Sequence, residues 1–272
     1  MRGLVTALAL LATVVAGRPA VAAESLVLAS TTSVDNSGLL DSILPQFTQA
    51  SGIKVRVVAQ GTGQALATAA RGDADLVLVH DPEAEDAFMA QGHGLSRREI
   101  AWNDFIIVGP AGDPAGIAGG KDAARALQAI AEARAPFVSR GDKSGTDALE
   151  KRLWKVLGLD PVALGGGWYR DIGGGMGAAL NAASAMEAYT LSDRGTWLSF
   201  KNKRELKIVI EGDPKLLNRY DVILLDPKRH PEARQAEATR LADWLLSAEG
   251  QAAIGAYQIG GEQLFHPSAK AQ

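Results

Sequence analysis

The feature that most constrains the fold is a repeated unit: a short apolar run, a turn of small or hydroxyl-bearing residues, and then a helical pattern. Residues 26–29 form the first apolar run, 30–33 are four consecutive hydroxyl residues, and apolar residues recur at helical spacing over 39–47. Two more strand–helix pairs follow, with strands expected at 53–57 and 75–79. This alternation predicts a parallel sheet with right-handed crossovers, and such sheets bind ligands at the carboxyl ends of their strands.

The pattern also predicts two lobes connected by two crossings. A strand at 105–110 runs into a Gly/Pro/Ala-rich stretch, 109–120, which is the first candidate crossing. The turn between strands at 206–210 and 220–225 is the second, and the last long helix is expected over 231–247 with proline first. The predicted division is lobe I at 24–109 and 213–272, and lobe II at 110–212.

The N-terminus has the pattern of a secretory signal peptide over residues 1–23. Arg2 precedes an apolar run over 4–16, and Val21-Ala22-Ala23 suits a cleavage site. Removing this segment takes away two basic residues and no acidic one, which leaves 26 basic and 31 acidic residues in 249. We therefore expect a periplasmic protein, with no membrane insertion of the mature chain and no affinity for nucleic acid.

The chain has no cysteine, which limits the covalent links that the exported protein can form. It excludes disulfides and a cysteine-linked lipid anchor. We expect a freely diffusing monomer.

The turn over residues 139–146 is the strongest candidate for a binding site. It follows the apolar run 136–138 and precedes a helical pattern, so its hydroxyls and backbone N–H groups lie at a helix N-terminus. The first N–H groups of a helix lack helical acceptors and attract anions, and Arg140 adds a planar cation. The alternative is a simple helix cap by a hydroxyl of this turn, with Asp142 in the turn.

Other strand-to-helix turns repeat this character. A helix is expected to begin at Gly61-Thr62-Gly63 and another at the glycine cluster 173–177. Arg194 lies beside Asp193 at the start of a third. The glycine cluster lacks the order of a dinucleotide-binding motif. Arg194 is a candidate anion donor, and the alternative is that it forms only a surface salt bridge with Asp193. His80, at a strand end, is a candidate ligand-binding residue, and the alternative is an ordinary hydrogen-bonded histidine.

Taken in order along nearly the whole mature chain, these motifs resemble the tungstate-binding proteins that serve tungstate ABC importers, within the type II periplasmic solute-binding proteins. One departure is Ser30, where a third threonine is expected and the hydroxyl is retained. The motifs are Thr31-Thr32-Ser33 with Asn36-Ser37-Gly38-Leu39-Leu40, Gly61-Thr62-Gly63-Gln64-Ala65-Leu66, Asn103-Asp104-Phe105, Ser139-Arg140-Gly141-Asp142 with Ser144-Gly145-Thr146, Gly175-Met176-Gly177, Tyr189-Thr190-Leu191 with Asp193-Arg194-Gly195-Thr196, and Gly261-Glu262-Gln263-Leu264-Phe265.

The resemblance implies an α/β fold of two lobes, each a mostly parallel sheet flanked by helices, that close on one oxyanion in the cleft. It implies no catalysis, no cofactor and no metal cation. The partners are tungstate or molybdate and the permease of an ABC importer. The positions expected to bind the oxyanion are Ser30, Thr31, Thr32, Ser33, Thr62, Ser139, Arg140, Ser144, Gly145, Thr146 and Arg194.

Two alternatives remain open at the level of sequence. Arg140 followed by Ser144-Gly145-Thr146 is also similar to phosphate-binding proteins of this superfamily, in which case Asp81 is a candidate acceptor for the phosphate proton. An exported hydrolase is less well supported, because Ser144 is one place late for a G-x-S-x-G elbow and none of the four histidines is in an H-E-x-x-H motif. A purely structural role leaves the hydroxyl-rich helix starts unexplained.

Overall fold

The computed structural model describes residues 25–269. The predicted signal peptide, 1–23, lies outside the described residues. Among the helices of the described part, none is long and apolar enough to cross a membrane.

The described chain alternates between strands and helices, as the sequence pattern predicts. The strands are β1 Leu26–Thr31, β2 Val55–Gln60, β3 Leu76–Val79, β4 Gly94–Pro110, β5 Phe137–Ser139, β6 Tyr169–Asp171, β7 Thr190–Asp193, β8 Leu206–Ile210, β9 Leu217–Leu225, β10 Gln258–Ile259, β11 Glu262–Gln263 and β12 His266–Pro267. The helices are α1 Thr32–Asn36, α2 Leu39–Ser51, α3 Thr62–Ala70, α4 Pro82–Ala90, α5 Ala123–Ala133, α6 Gly145–Val156, α7 Met176–Met186, α8 Arg194–Ser199, α9 Gln235–Leu246 and α10 Ala248–Ala256.

The predicted α/β fold with flanking helices is confirmed, but its main sheet is mixed rather than mostly parallel. Its order is β12-β4-β9-β3-β1-β2. β1 is parallel to β2 and β3, whereas β9 is antiparallel to β3 and β4 is antiparallel to β9. The physical reason is that β4 and β9 connect the lobes, and the strand that returns to lobe I enters its sheet against the direction of the outgoing strands.

Strand β4 is the continuous link between the lobes. Its first part, Gly94–Asp104, pairs with β9, and its last part, Phe105–Pro110, pairs with β7 and β8. The sequence pattern predicts only the second part as a strand. Because β4 crosses without a break, the predicted lobe boundaries at residues 109 and 213 stay predictions.

Separate apolar cores lie on the two sides of this link. In lobe I, α2, α9 and α10 cover one face of the sheet, with Phe47 packed against Trp244 at a ring-centre distance of 5.6 Å. In lobe II, Phe137 packs edge-on against Trp154, whose indole lies on α6. This packing fixes the position of the residues that follow β5, because Phe137 begins that strand and the turn over 139–146 leaves it.

Helix α9 starts later than the predicted first residue, Pro231. It begins at Gln235, and residues 227–233 form turns. The backbone N–H of Arg234 donates to Asp75 Oδ1 at 2.9 Å, which anchors the segment before the helix to the start of β3.

A buried carboxyl on α4 makes stability depend on pH. The Glu85 side chain is buried and accepts the Asp81 N–H at 2.8 Å, and Asp221 is its hydrogen-bond partner. Burial, followed by the contact with Asp221, raises the pKa of Glu85 to about 9. The folded state therefore keeps a proton that the unfolded chain loses above about pH 4.5, so this group makes the unfolding free energy fall as pH rises toward 9.

We expect Glu85→Gln to flatten this dependence, because the amide is neutral at every pH. Urea unfolding at pH 5.5, 7.0 and 8.5 measures the effect, and Asp73→Asn is the matched control, since Asp73 is an exposed carboxylate paired with Arg71 and not with Arg97, the cation beside Glu85. An equal slope of unfolding free energy against pH in the wild type and Glu85→Gln contradicts the assignment.

Candidate functional site

Of the four side chains in the hydroxyl run at the end of β1, two are hydrogen-bonded within the described part of the protein and two are not. Ser30 Oγ donates to the Leu78 carbonyl at 2.9 Å, and Thr31 Oγ1 accepts the Val34 N–H at 3.2 Å as the cap of α1. The side chains of Thr32 and Ser33 make no hydrogen bond to the residues described here, and both are less buried. The run therefore offers a ligand the hydroxyls of residues 32 and 33 more readily than those of residues 30 and 31.

The turn after β5 is both a helix cap and a cluster of donors. Ser144 Oγ accepts the Asp147 N–H at 3.3 Å, so the capping interpretation is confirmed. Arg140 is buried and its Nη1 donates to Thr146 Oγ1 at 3.2 Å. Its Nε donates to Asp142 Oδ2 at 3.1 Å, so much of the arginine charge is balanced within the turn. Burial opposes ionisation of Asp142, but hydrogen bonds from Ser144 and Arg140 outweigh it and lower its pKa.

Ser139, the last residue of β5, has a buried hydroxyl without a hydrogen bond of ordinary geometry in the described structure. It lies close enough to the Glu150 carboxyl to lower that pKa. Burial is nevertheless the larger influence and raises the pKa of Glu150 to about 7, against hydrogen bonds from Tyr169 and Trp154. Buried hydroxyls usually have a hydrogen-bond partner, and for Ser139 the neighbouring group is the Glu150 carboxyl, so its part in a ligand site stays a prediction.

Thr62 is the first residue of α3, and its side chain is buried. It makes no side-chain hydrogen bond within residues 25–269. No hydrogen bond or ion pair among the described residues joins it to the turn after β5, so its part in a ligand site stays a prediction.

The two lobes meet where α6 begins. A Cβ atom added to Gly145 would lie 3.0 Å from His80 Cε1, at the end of β3 in lobe I. His80 Nε2 is in turn 3.0 Å from Thr31 Oγ1. The structure thus brings the turn that holds Arg140 and Thr146 against the end of the hydroxyl run, and a side chain at residue 145 would crowd the His80 ring.

An ion pair flanks this contact. Arg152 on α6 lies 3.6 Å from Asp81 Oδ1, which caps α4 in lobe I. Because Asp81 already accepts the Ala84 N–H and faces a cation, the structure does not favour it as the acceptor for a phosphate proton.

The Arg194 side chain, at the start of α8, is held by carboxylates rather than by the other predicted donors. Its Nε and Nη2 donate to the two oxygens of Asp104, each at 2.6 Å, and Nη2 also donates to Glu211 at 2.8 Å. It lines an open cavity of about 660 Å³ at the lobe junction, together with Lys121 and Leu217, and the residues lining this cavity include none of the other predicted donors. With two carboxylates on one guanidinium, the role of Arg194 in anion binding stays a prediction.

A buried network beneath the cleft was missed from the sequence. His80 Nδ1 is 2.9 Å from Asn218 Oδ1, and Asn218 Nδ2 donates to Asn103 Oδ1 and to the Tyr220 hydroxyl. Asn103 stands in one of the motifs quoted above, but Asn218 is in no motif, and 138 positions separate it from His80. Alternation along β9 places Asn218 and Tyr220 on one buried face, which is the only signal the sequence carried.

Nothing in the described residues suggests a metal cation or a catalytic serine. No group of three or more His, Cys, Asp or Glu is placed to hold a metal ion among residues 25–269. The Ser144 hydroxyl is engaged as a helix cap, and none of the hydrogen bonds of this region joins it to a histidine.

Comparisons with known proteins agree with this architecture. A family model described as a PBP superfamily domain matches residues 14–249. The tungstate-binding protein TupA of Peptoclostridium acidaminophilum is 44% identical over 249 residues, which is 90% of this chain and 86% of the relative.

Solved structures give the same result. The tungstate-binding protein TupA from Desulfovibrio alaskensis G20 has a TM-score of 0.84 at 42% identity, covering 90% of this chain and 99% of the other. The tungstate ABC transporter structure from Geobacter sulfurreducens has a TM-score of 0.76 at 45% identity, covering 86% and 99%. The chain belongs to the PBP superfamily and, within it, to the family that contains these TupA proteins.

The burial and hydrogen bonds of this network predict the protonation state of His80. Burial lowers the pKa of His80, against the hydrogen bond to Asn218 and the nearby carboxylates of Asp81 and Asp193, which raise it. We expect a neutral imidazole with its hydrogen on Nδ1 at pH 7, and a pKa below the usual value for histidine. Two-dimensional ¹⁵N NMR of the imidazole nitrogens measures both properties, with His80→Asn for assignment. A hydrogen on Nε2, or titration near the usual value of 6.5, contradicts it.

Proposed function

We propose that this protein captures tungstate in the cleft between its lobes and delivers it to the permease of an ABC importer. The observation that carries the proposal is the contact of Gly145 with His80, which sets the donors that follow β5 against those that follow β1. The family membership supports the same function, since its relatives are named as tungstate-binding proteins.

Most of the donors proposed for the anion are uncommitted or partly committed groups near this contact, and Thr62 is added from the sequence prediction. They come from both lobes, and Arg140 supplies a positive charge within the turn after β5. A hydrogen bond to a charged group contributes about 1.5–3 kcal/mol, so several such bonds offset the loss of ligand hydration. The proposed donors are Thr32, Ser33, Thr62, Ser139, Arg140, Ser144, Gly145 and Thr146, with Ser30 and Thr31 supporting them from the sheet and Arg194 an unassigned candidate.

Selectivity follows from size and protonation. Tungstate and sulfate are both dianions near neutral pH, so the larger tungstate is distinguished by the size of the closed cleft. Phosphate keeps a proton and needs an acceptor, and a site of donors leaves that O–H unpaired, which is the strong form of rejection. Molybdate has nearly the size and charge of tungstate, so we propose that it also binds.

The proposal also covers the location of the protein, its oligomeric state and its lack of catalysis. We propose a periplasmic monomer without catalytic activity or a cofactor, for which the oxyanion is the transported cargo. The hydrogen-bonded cap at Ser144 and the ion pair of Asp81 support this function over a hydrolase and over a phosphate-binding protein.

Isothermal titration of the wild type with tungstate, molybdate, sulfate and phosphate tests the function directly. We expect tight binding of tungstate and molybdate, and no heat from phosphate or sulfate. Tight phosphate binding without tungstate heat would replace the proposal with the phosphate alternative.

Arg140→Ala tests the proposed cation. Loss of the guanidinium removes a charge-assisted bond to the anion, so we expect about 10- to 100-fold weaker tungstate binding. Arg170→Ala, an exposed arginine on β6, is the matched control and should bind as the wild type. Thermal unfolding without anion shows whether Arg140→Ala is folded, and wild-type affinity in a folded Arg140→Ala protein contradicts its role.

Gly145→Ala tests the proposed closure. The added methyl group meets the His80 ring at 3.0 Å only when the lobes are together, so it should weaken tungstate binding by tenfold or more while leaving the unfolding temperature unchanged. Gly63→Ala is the control, because a Cβ atom there meets nothing within 4 Å. Equal tungstate affinities for the two variants contradict closure through this contact.

A further inference from the structure

His80 connects more parts of the cleft than any of the predicted donors that surround it. It is buried at the end of β3, with Thr31 of lobe I on one ring nitrogen and Asn218 of the crossing strand β9 on the other. Its Cε1 edge faces Gly145 of lobe II. A histidine that touches both lobes and a crossing strand is placed to respond when the cleft closes.

The partners of Asn218 determine the hydrogen positions on the imidazole. Asn218 Nδ2 has two hydrogens, and it donates to Asn103 Oδ1 at 2.9 Å and to the Tyr220 hydroxyl at 2.6 Å. Its Oδ1 is therefore the atom that faces His80, at 2.9 Å from Nδ1. An amide oxygen only accepts, so Nδ1 carries the hydrogen and Nε2 of the neutral ring is an acceptor.

The hydrogen of the Thr31 hydroxyl follows from this arrangement. Thr31 Oγ1 accepts the Val34 N–H at 3.2 Å and lies 3.0 Å from His80 Nε2. Because Nε2 accepts, the Thr31 hydroxyl donates its single hydrogen to the ring and has none to give to an anion. Thr31 is thereby held in one orientation between the start of α1 and the imidazole.

Resting on the proposed tungstate function, we propose that His80 is a positioning residue for anion capture, which holds the Thr31 hydroxyl and forms the surface against which Gly145 closes. Its loss leaves a void between these residues in the closed form only, since opening the lobes exposes the same face to water. The closed form is therefore penalised, and the bound anion leaves faster. This assigns to His80 an effect on affinity without direct contact with the anion.

Two substitutions separate the contacts of the imidazole. Glutamine reaches the position of Nε2 and retains an acceptor for Thr31, whereas asparagine reaches only the position of Nδ1 and retains the contact with Asn218. His93→Asn is the matched control, because His93 is a lobe I histidine bonded to His230 rather than to residues of the cleft.

Titration calorimetry and stopped-flow fluorescence with tungstate measure the affinities and the dissociation rates. We expect His80→Gln within about threefold of the wild-type Kd, and His80→Asn about tenfold weaker through faster dissociation, as loss of one buried hydrogen bond predicts. In a Thr31→Val background the difference between the two His80 variants should disappear. Unfolding temperatures without anion should be similar for the two variants.

The inference is overturned if His80→Asn binds as the wild type does, if both variants lose the same affinity, or if their difference persists in Thr31→Val. A parallel loss of affinity and unfolding temperature in both variants also overturns it, since that is the mark of a structural role alone. If the wild type itself gives no heat with tungstate, the proposed function fails, which is a separate outcome.

Discussion

The cleft depends on the close approach of Gly145 and His80, because this contact brings donors from distant parts of the chain to one place. A Cβ atom on Gly145 would stand 3.0 Å from the ring, so the absence of a side chain at residue 145 lets the first turn of α6 lie against lobe I without crowding His80. The Ser144 cap and the packing of Trp154 fix α6 from the other side. An anion between the lobes would therefore stabilise donor positions that contacts within each lobe already fix.

Charge balance bears on how an acidic chain could hold the proposed dianion without a strongly positive surface. The Arg140 guanidinium is shared between Asp142 and Thr146, and Arg194 is shared between Asp104 and Glu211. Most of the donors available to a ligand are accordingly neutral hydroxyl and backbone N–H groups. Neutral donors are suited to an anion that must also be released, since their hydrogen bonds are weaker than those of a free cation.

The local features of the site could be predicted from the sequence, because they arise within a few residues. The turn over 139–146 follows from an apolar run and a helical pattern on either side, and the structure places Ser144 as the cap of α6. The first half of β4 was missed because Arg97, Arg98 and Glu99 interrupt its apolar alternation. The direction of β9 was missed for a different reason, since strand pairing is set by the course of the whole chain.

Contacts between distant residues were beyond the reach of local patterns. The neighbours of His80 are Thr31 and Asn218, and neither spacing carries a periodic signal. The carboxylates on Arg194 likewise come from residues 90 positions before it and 17 after it. A prediction that treated Arg140 and Arg194 as equivalent donors could not see that their partners differ, since Arg140 pairs within its own turn and Arg194 pairs with carboxylates from other elements.

The most direct measurement is anomalous diffraction at the tungsten edge from crystals grown with tungstate. We expect one strong peak between the lobes, within hydrogen-bonding distance of the first turn of α6 and of Thr32 or Ser33. A peak in the cavity beside Arg194 and Lys121, with the α6 turn empty, would contradict the placement of the anion at the contact of Gly145 and His80.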